Sequence, residues 1–212
     1  SAFSSRISPN MSDEALFTEL DSMLFLLEDG HVNLVSPFNL GRNWNWYLNY
    51  PDNFNYEIVE RHYLGAKHRR SGGFQYTILA DSIGYLYYPS FSSSFSEGQL
   101  DAILSYLGNT KGLILDLRHN GGGSLNNSLR LASRFYKQEA TALLQEEKTG
   151  PGPNDFGNRF GYKISPSKGV NYTKPIVVLT NRRCYSATNT FMALLKTQDH
   201  IYQLGDQTGG GG

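Results

Sequence analysis

KPIVVLTNRRCYSATNTFMALLK, Lys174 to Lys196, passes from an apolar run through a polar turn into a second apolar pattern with a different period. Pro175 to Leu179 is short and rich in β-branched residues, as suits a strand covered on both faces. Asn181, Arg182 and Arg183 interrupt the run, and from Ala187 onward Phe191, Leu194 and Leu195 fall at helical spacing. Ser186 stands at the junction, next to the unpaired N–H groups and positive dipole end of the coming helix. Such a place stabilises an oxyanion. On this stretch alone, however, the serine reads as an N-cap, and the G-x-S-x-G elbow is absent.

The same order of elements occurs once more upstream. Gly112 to Leu117, GLILDL, is another run suited to a doubly covered strand, followed by Asn120 and the glycines Gly121, Gly122 and Gly123, and then by a helix from Ser124 to Tyr136. Two strand-to-helix units of this kind predict an α/β core with parallel strands. Between Glu57 and Leu107 the sequence predicts strands at Glu57–Tyr63 and Phe74–Leu79. A third, Gly84–Tyr88, pairs with the second across an Asp81–Ser82 turn. A helix then opens on the capping box Ser96/Gln99, shows Leu100, Ile103, Leu104 and Leu107 on one face, and stops at Gly108. Thr141–Glu146 and Ile201–Leu204 read as further strands, and Lys148–Asn158 as a surface loop. At the start, Ser12 caps a helix whose apolar face is Leu16, Leu20, Met23, Leu24 and Leu27, with Gly30 as the stop and His31 directly after it. Pro37 to Tyr56 is dense in aromatics, including Trp44, Trp46, Tyr47, Tyr50 and Phe54, and lacks a clean period.

With 212 residues and 39% hydrophobic content the chain can bury a core. Its 19 basic and 19 acidic residues cancel, so no overall field recruits nucleic acid or an anionic membrane. The lone Cys184 excludes an internal disulfide and a cysteine-based zinc cluster. Three consecutive glycines could cradle a phosphate or an oxyanion. No Lys-Ser or Lys-Thr follows them, and GGG is not the spaced dinucleotide fingerprint, so neither a nucleotide nor any other cofactor or metal is expected. The start at Ser1 and the finish on four glycines suggest a chain that continues at both ends.

The string KGLILDLRHNGGGSL, Lys111 to Leu125, resembles the signature of the tail-specific or C-terminal processing serine peptidases and their tricorn relatives. NRRCYSATN resembles the family's nucleophile segment, with Ser186 at the nucleophile. The closing LGDQTGGGG, Leu204 to Gly212, resembles the family's VGEPTFGKG, with Gly211 where the processing proteases carry their lysine. EDGHVNL, Glu28 to Leu34, is similar to the Asp-Gly-His signature of the tricorn-like branch, which takes its base from a histidine. The resemblance implies a ClpP/crotonase-like ββα core at 81–212, truncated at its C-terminal end. It adds a small N-terminal helical segment at 1–36 and a short aromatic-rich β connection at 37–80, too short for a PDZ domain.

For function, the resemblance implies a serine endopeptidase acting on a peptide or protein. Ser186 is the nucleophile and His31 the base, while N–H groups of Gly122 or Gly123 and of Ala187 hold the oxyanion. Asp116 and Arg118 are expected to fix the turn. A third catalytic group is expected past Gly212, and an extracytoplasmic bacterial location is implied, with any membrane anchor upstream of Ser1. The rival expectation is an inactive protein on the same fold that binds peptides or hydrophobic ligands through the segment Trp44 to Tyr56. Acyl-thioester chemistry ranks last, since it leaves Ser186 and His31 without a joint purpose.

Overall fold

The computed structural model describes residues 3–45 and 49–211, so Trp46 and Tyr47 of the aromatic segment and the final Gly212 lie outside the described residues. The chain divides into two compact units, Ser1–Pro51 and Asp52–Gly210.

In the first unit α1 spans Asp13–Phe25, capped by Ser12, whose Oγ accepts the Ala15 N–H at 3.2 Å. The helix stops at Leu26, short of Gly30, and the turn is completed by Glu28 in the left-handed region at φ 49°. Phe17 is the one large apolar side chain fully buried in this unit among the described residues, while Leu27 is exposed. β1 (Asn33–Val35) and β2 (Leu40–Arg42) form a short antiparallel pair.

The second unit is built on a six-stranded mixed sheet. Its strands are β3 (Arg69–Ser71), β4 (Phe74–Ile78), β5 (Ile83–Tyr87), β6 (Gly112–Asp116), β9 (Ile176–Thr180) and β10 (Ile201–Gly205), in the order β10-β9-β6-β5-β4-β3. β3, β4 and β5 pair antiparallel, and β5, β6, β9 and β10 pair parallel. The crossovers are α3 (Glu97–Leu107), α4 (Leu125–Ser133) and α5 (Ala187–Leu195). Between α4 and β9 lies a separate hairpin of β7 (Ala140–Gln145) and β8 (Phe160–Ile164). The predicted capping box of α3 is formed by Ser96 and Gln99, and the four predicted leucine and isoleucine positions are all buried. They pack with Leu86, Leu113, Leu115, Ile176 and Val178 of the sheet and with Phe135, Phe191 and Leu194 into one core. Full burial of each such side chain contributes roughly 2 kcal/mol.

Glu57–Tyr63 is not a strand. The segment forms α2 (Tyr56–Val59) and a π-helical turn, Glu60–Leu64. Asn55 Oδ1 accepts the Ile58 N–H at 3.2 Å and starts the helix, and helical spacing then turns Val59 and Leu64 onto Tyr85 and Tyr87 on the second face of the sheet. A side-chain cap and an unpaired sheet face outweighed the β-rich local composition. Arg69 and Arg70 lie on the edge strand β3.

No helix among the described residues is long and apolar enough to cross a membrane. No cluster of three or more metal-ligating side chains occurs among them.

Candidate active site

Because β6 and β9 are neighbours in the sheet, the turns that leave their carboxyl ends lie side by side. Leu117 N donates to Leu179 O at 3.0 Å, and further out Tyr185 N donates to Asn120 O at 3.2 Å. Two stretches more than sixty residues apart in sequence meet there. An alanine at Gly122 would put its Cβ 2.5 Å from Tyr185 O, 2.8 Å from Ser186 Cβ and 2.9 Å from Ala187 N, so only glycine admits this approach. Its φ of 95° excludes other residues for a second reason.

Ser186 is held in an unusual conformation, at φ 55° and ψ −124°. The Thr188 N–H donates to Tyr185 O at 3.1 Å, closing a tight turn whose second residue is Ser186, in the region that type II′ turns normally give to glycine. Ser186 Oγ makes no capping hydrogen bond to α5. A plain N-cap has extended dihedrals and a bonded side-chain oxygen, so capping does not account for this serine. The turn is braced from the chain end. Ser186 N donates to Gly210 O at 2.9 Å and Gly209 N donates to Cys184 O at 2.8 Å, both just before Gly211, which sits at φ 74°.

A cleft of about 590 Å³ opens on Ser186 and is also lined by Gly123 and Ala187. Gly122 N–H is engaged by Asn120 Oδ1 at 3.0 Å, whereas the N–H groups of Gly123 and Ala187 donate no hydrogen bond among the described residues. The rest of the wall is Leu125, Leu143, Leu144 and Ala193, with Gln145, Glu146, Asn189 and Thr190.

Asn120 ties this arrangement together and was not singled out by sequence reasoning. Fully buried, its Oδ1 also accepts the Thr188 hydroxyl at 2.8 Å, and its Nδ2 donates to Tyr88 O at 2.9 Å. One amide therefore fixes the end of β5, the glycine turn and the start of α5. Its only sequence signal is an asparagine between a strand end and the glycines. Asn181 plays a lesser part, its Oδ1 accepting the N–H groups of His119 and Arg183 at 3.1 and 3.2 Å.

Asp116 is fully buried and accepts from Arg118 Nε at 2.9 Å, Arg118 Nη2 at 2.6 Å and the Tyr85 hydroxyl at 2.5 Å. Burial, with the Asp116 carboxylate beside it, pushes the Tyr85 hydroxyl above its ordinary value. Arg118 Nη1 continues to Asn53 O at 2.9 Å. These groups fix the turn, as expected. Cys184, two residues before the serine, is fully buried, and that burial pushes its thiol up to about 12, so it remains a neutral thiol. His119, at φ 65°, places Nε2 2.7 Å from Asp52 Oδ1.

His31 lies in the first unit, half exposed, with Nδ1 3.2 Å and its own N–H 2.9 Å from Asp29 Oδ1. Ser186, Gly123 and Ala187 are thus brought together within the second unit, and His31 is positioned by its own local turn.

Residues 82–212 match the model of peptidase family S41. The chain belongs to that family. It is 29% identical over 133 residues to the carboxy-terminal processing protease CtpA of Bacillus subtilis, covering 62% of this chain and 27% of that protein. It is 26% identical over 131 residues to carboxyl-terminal-processing peptidase 2 of Arabidopsis chloroplasts, covering 61% of this chain and 24% of that one. The chain spans about a quarter of the length of these curated relatives. The crystal structure of a candidate peptidase from Parabacteroides merdae superposes with a TM-score of 0.93 at 42% identity, covering 99% of this chain and 67% of that one. The matched region of this S41 chain contains the glycine turn, Ser186 and the cleft, while His31 lies before it.

Proposed function

We propose that this protein is a serine endopeptidase in which Ser186 attacks a peptide carbonyl. The observation that carries the reading is Ser186 itself: a serine in a glycine conformation, uncapped, on a cleft with two N–H donors beside it. Strain of this kind costs on the order of 1–3 kcal/mol and persists where the surrounding structure over-determines it. His31 is the general base. Its imidazole accepts the Ser186 hydroxyl proton as Oγ bonds to the carbonyl carbon. Gly123 and Ala187 N–H groups hold the tetrahedral oxyanion, Gly122 being committed to Asn120. Collapse breaks the C–N bond, the imidazolium returns the proton to the leaving amine, and water hydrolyses the acyl-enzyme by the same path. No lysine base enters, since Gly211 stands at that position.

Incubation of the full chain with a fluorophosphonate probe tests this. Wild type is expected to be labelled at Ser186, Ser186→Ala not at all, and His31→Ala at least about a hundredfold more slowly, the usual scale of general-base assistance. Absence of labelling in the wild type would sink the reading in favour of a binding protein; labelling undiminished in His31→Ala would remove His31 from it.

A further inference from the structure

A second cleft, of about 530 Å³, opens on the other face of the sheet and shares no lining residue with the one at Ser186. Its size is that of a small-molecule site. α2 and the π-helical turn cover Tyr85 and Tyr87 of β5 through Val59 and Leu64. They stop short of β10, where Tyr202 and Leu204 are 59% and 62% exposed. The cleft lies between, with Ile58, Val59 and Tyr63 on the helical side and Ile114 and Leu179 on the sheet.

One end of this cleft is polar. Arg118 stands there with its side chain 18% exposed and its Cζ 5.0 Å from the centre of the Phe54 ring. Its Nε and Nη2 donate to Asp116, and its Nη1 donates to Asn53 O. A guanidinium has five N–H groups, so one on each terminal nitrogen carries no bond. The backbone N–H groups of Asn53 and Asn55, which line the same cleft, donate no hydrogen bond among the described residues. The acid in the lining is engaged already: Asp52 Oδ1 lies 2.7 Å from His119 Nε2 and accepts the Phe54 N–H at 3.1 Å. Donors therefore outnumber acceptors at this end, which suits an anionic head group. That one arginine can hold two carboxylates is seen within the same protein, where Arg134 bonds both Asp101 and Glu97.

We propose that this cleft binds a medium-chain fatty carboxylate, its head group on the open N–H groups of Arg118 and its chain laid between α2 and β9. Away from Arg118 the wall is aliphatic and aromatic, which suits a plain hydrocarbon and would leave the amides of a peptide unpaired. Binding needs no chemistry at Ser186, so it stands or falls separately from the peptidase reading.

The test is calorimetric titration of the full chain with octanoate, which is expected to bind with a Kd of about 0.1 mM, a scale within reach of a ligand of ten heavy atoms. 1-Octanol is expected to bind about tenfold more weakly for want of the charged head. Butanoate, four methylenes shorter, is expected to lose at least about tenfold as well. Ile58→Asp places a carboxylate on an exposed part of the cleft wall and is expected to weaken octanoate about tenfold. Arg118→Lys, which keeps the charge and loses the fork, is expected to do the same. Leu125→Asp in the cleft at Ser186 is expected to change nothing. No saturable heat up to about 5 mM octanoate, fifty times the expected Kd, would overturn the site. So would octanol binding as tightly as octanoate, or octanoate affinity that falls in Leu125→Asp and not in Ile58→Asp. An N-acetylated tripeptide ending in leucine that binds as tightly as octanoate would overturn the choice of a plain chain.

Discussion

Ser186 occupies a backbone region that glycine enters without cost and serine does not. Ser186→Gly is therefore expected to be more stable than Ser186→Ala by about 1 kcal/mol, the reverse of the usual alanine-over-glycine order next to a helix. Urea denaturation of the two variants checks the sign; alanine as the more stable variant would show that the turn is unstrained. At this scale the sequence was most informative about identities and least about conformation. The glycines of the 121–123 turn and the serine could be picked out by their order relative to two strands. That Gly122 spends its N–H on Asn120, and that Ser186 caps nothing, depends on bonds between stretches distant in the chain.

Among the elements, the packing of α4 against α3 turns on one buried cation. Arg134 has no exposed side chain and sits at the end of α4, bonded to the Asp101 carboxylate, to Val170 O at 2.9 Å and to Glu97 Oε2 at 2.5 Å. Arg134→Ala is expected to lower the unfolding free energy by about 3 kcal/mol, from lost volume and the orphaned Val170 carbonyl, as read by the urea midpoint. The Val170 N–H, and after it Arg134, holds the Asp101 carboxyl below its usual value of 3.8. A carboxyl depressed on folding binds fewer protons in the native state, so its stabilisation is present above 3.8 and is lost as pH falls through the lower folded value. Asp101→Asn is accordingly expected to flatten the fall in melting temperature below pH 4, and an unchanged slope would exclude this carboxylate as its source. The elements themselves were largely legible, from the capping box of α3 to the two buried parallel strands. α2 was not, because its apolar spacing over a few residues fits either period and the sheet face it covers is set elsewhere in the chain.

Across the whole molecule, burial is concentrated in the second unit. Leu113, Leu115, Ile176 and Val178 of β6 and β9 are at most 2% exposed, whereas the described first unit fully buries one large apolar side chain. Hydrogen exchange is expected to be slowest in β6 and β9 and orders of magnitude faster in α1, since local opening follows the density of buried contacts. Equal protection of α1 and the central strands would contradict that ranking. The slowest amides are then expected in the two strands that carry the glycine turn and Ser186.

The sequence by itself determined the α/β class, the family signatures and the residues at which chemistry is proposed, because strand composition, helix caps and glycine turns are local properties of the chain. The tertiary structure decided three things no local pattern contains. It set β6 beside β9, so that two turns share one cleft; it committed the Gly122 N–H to Asn120, while those of Gly123 and Ala187 donate no hydrogen bond among the described residues; and it brought residues 143–146 of the β7 segment to the wall of that cleft. Each follows from which strands become neighbours, and that is fixed by burying both faces of one sheet at once.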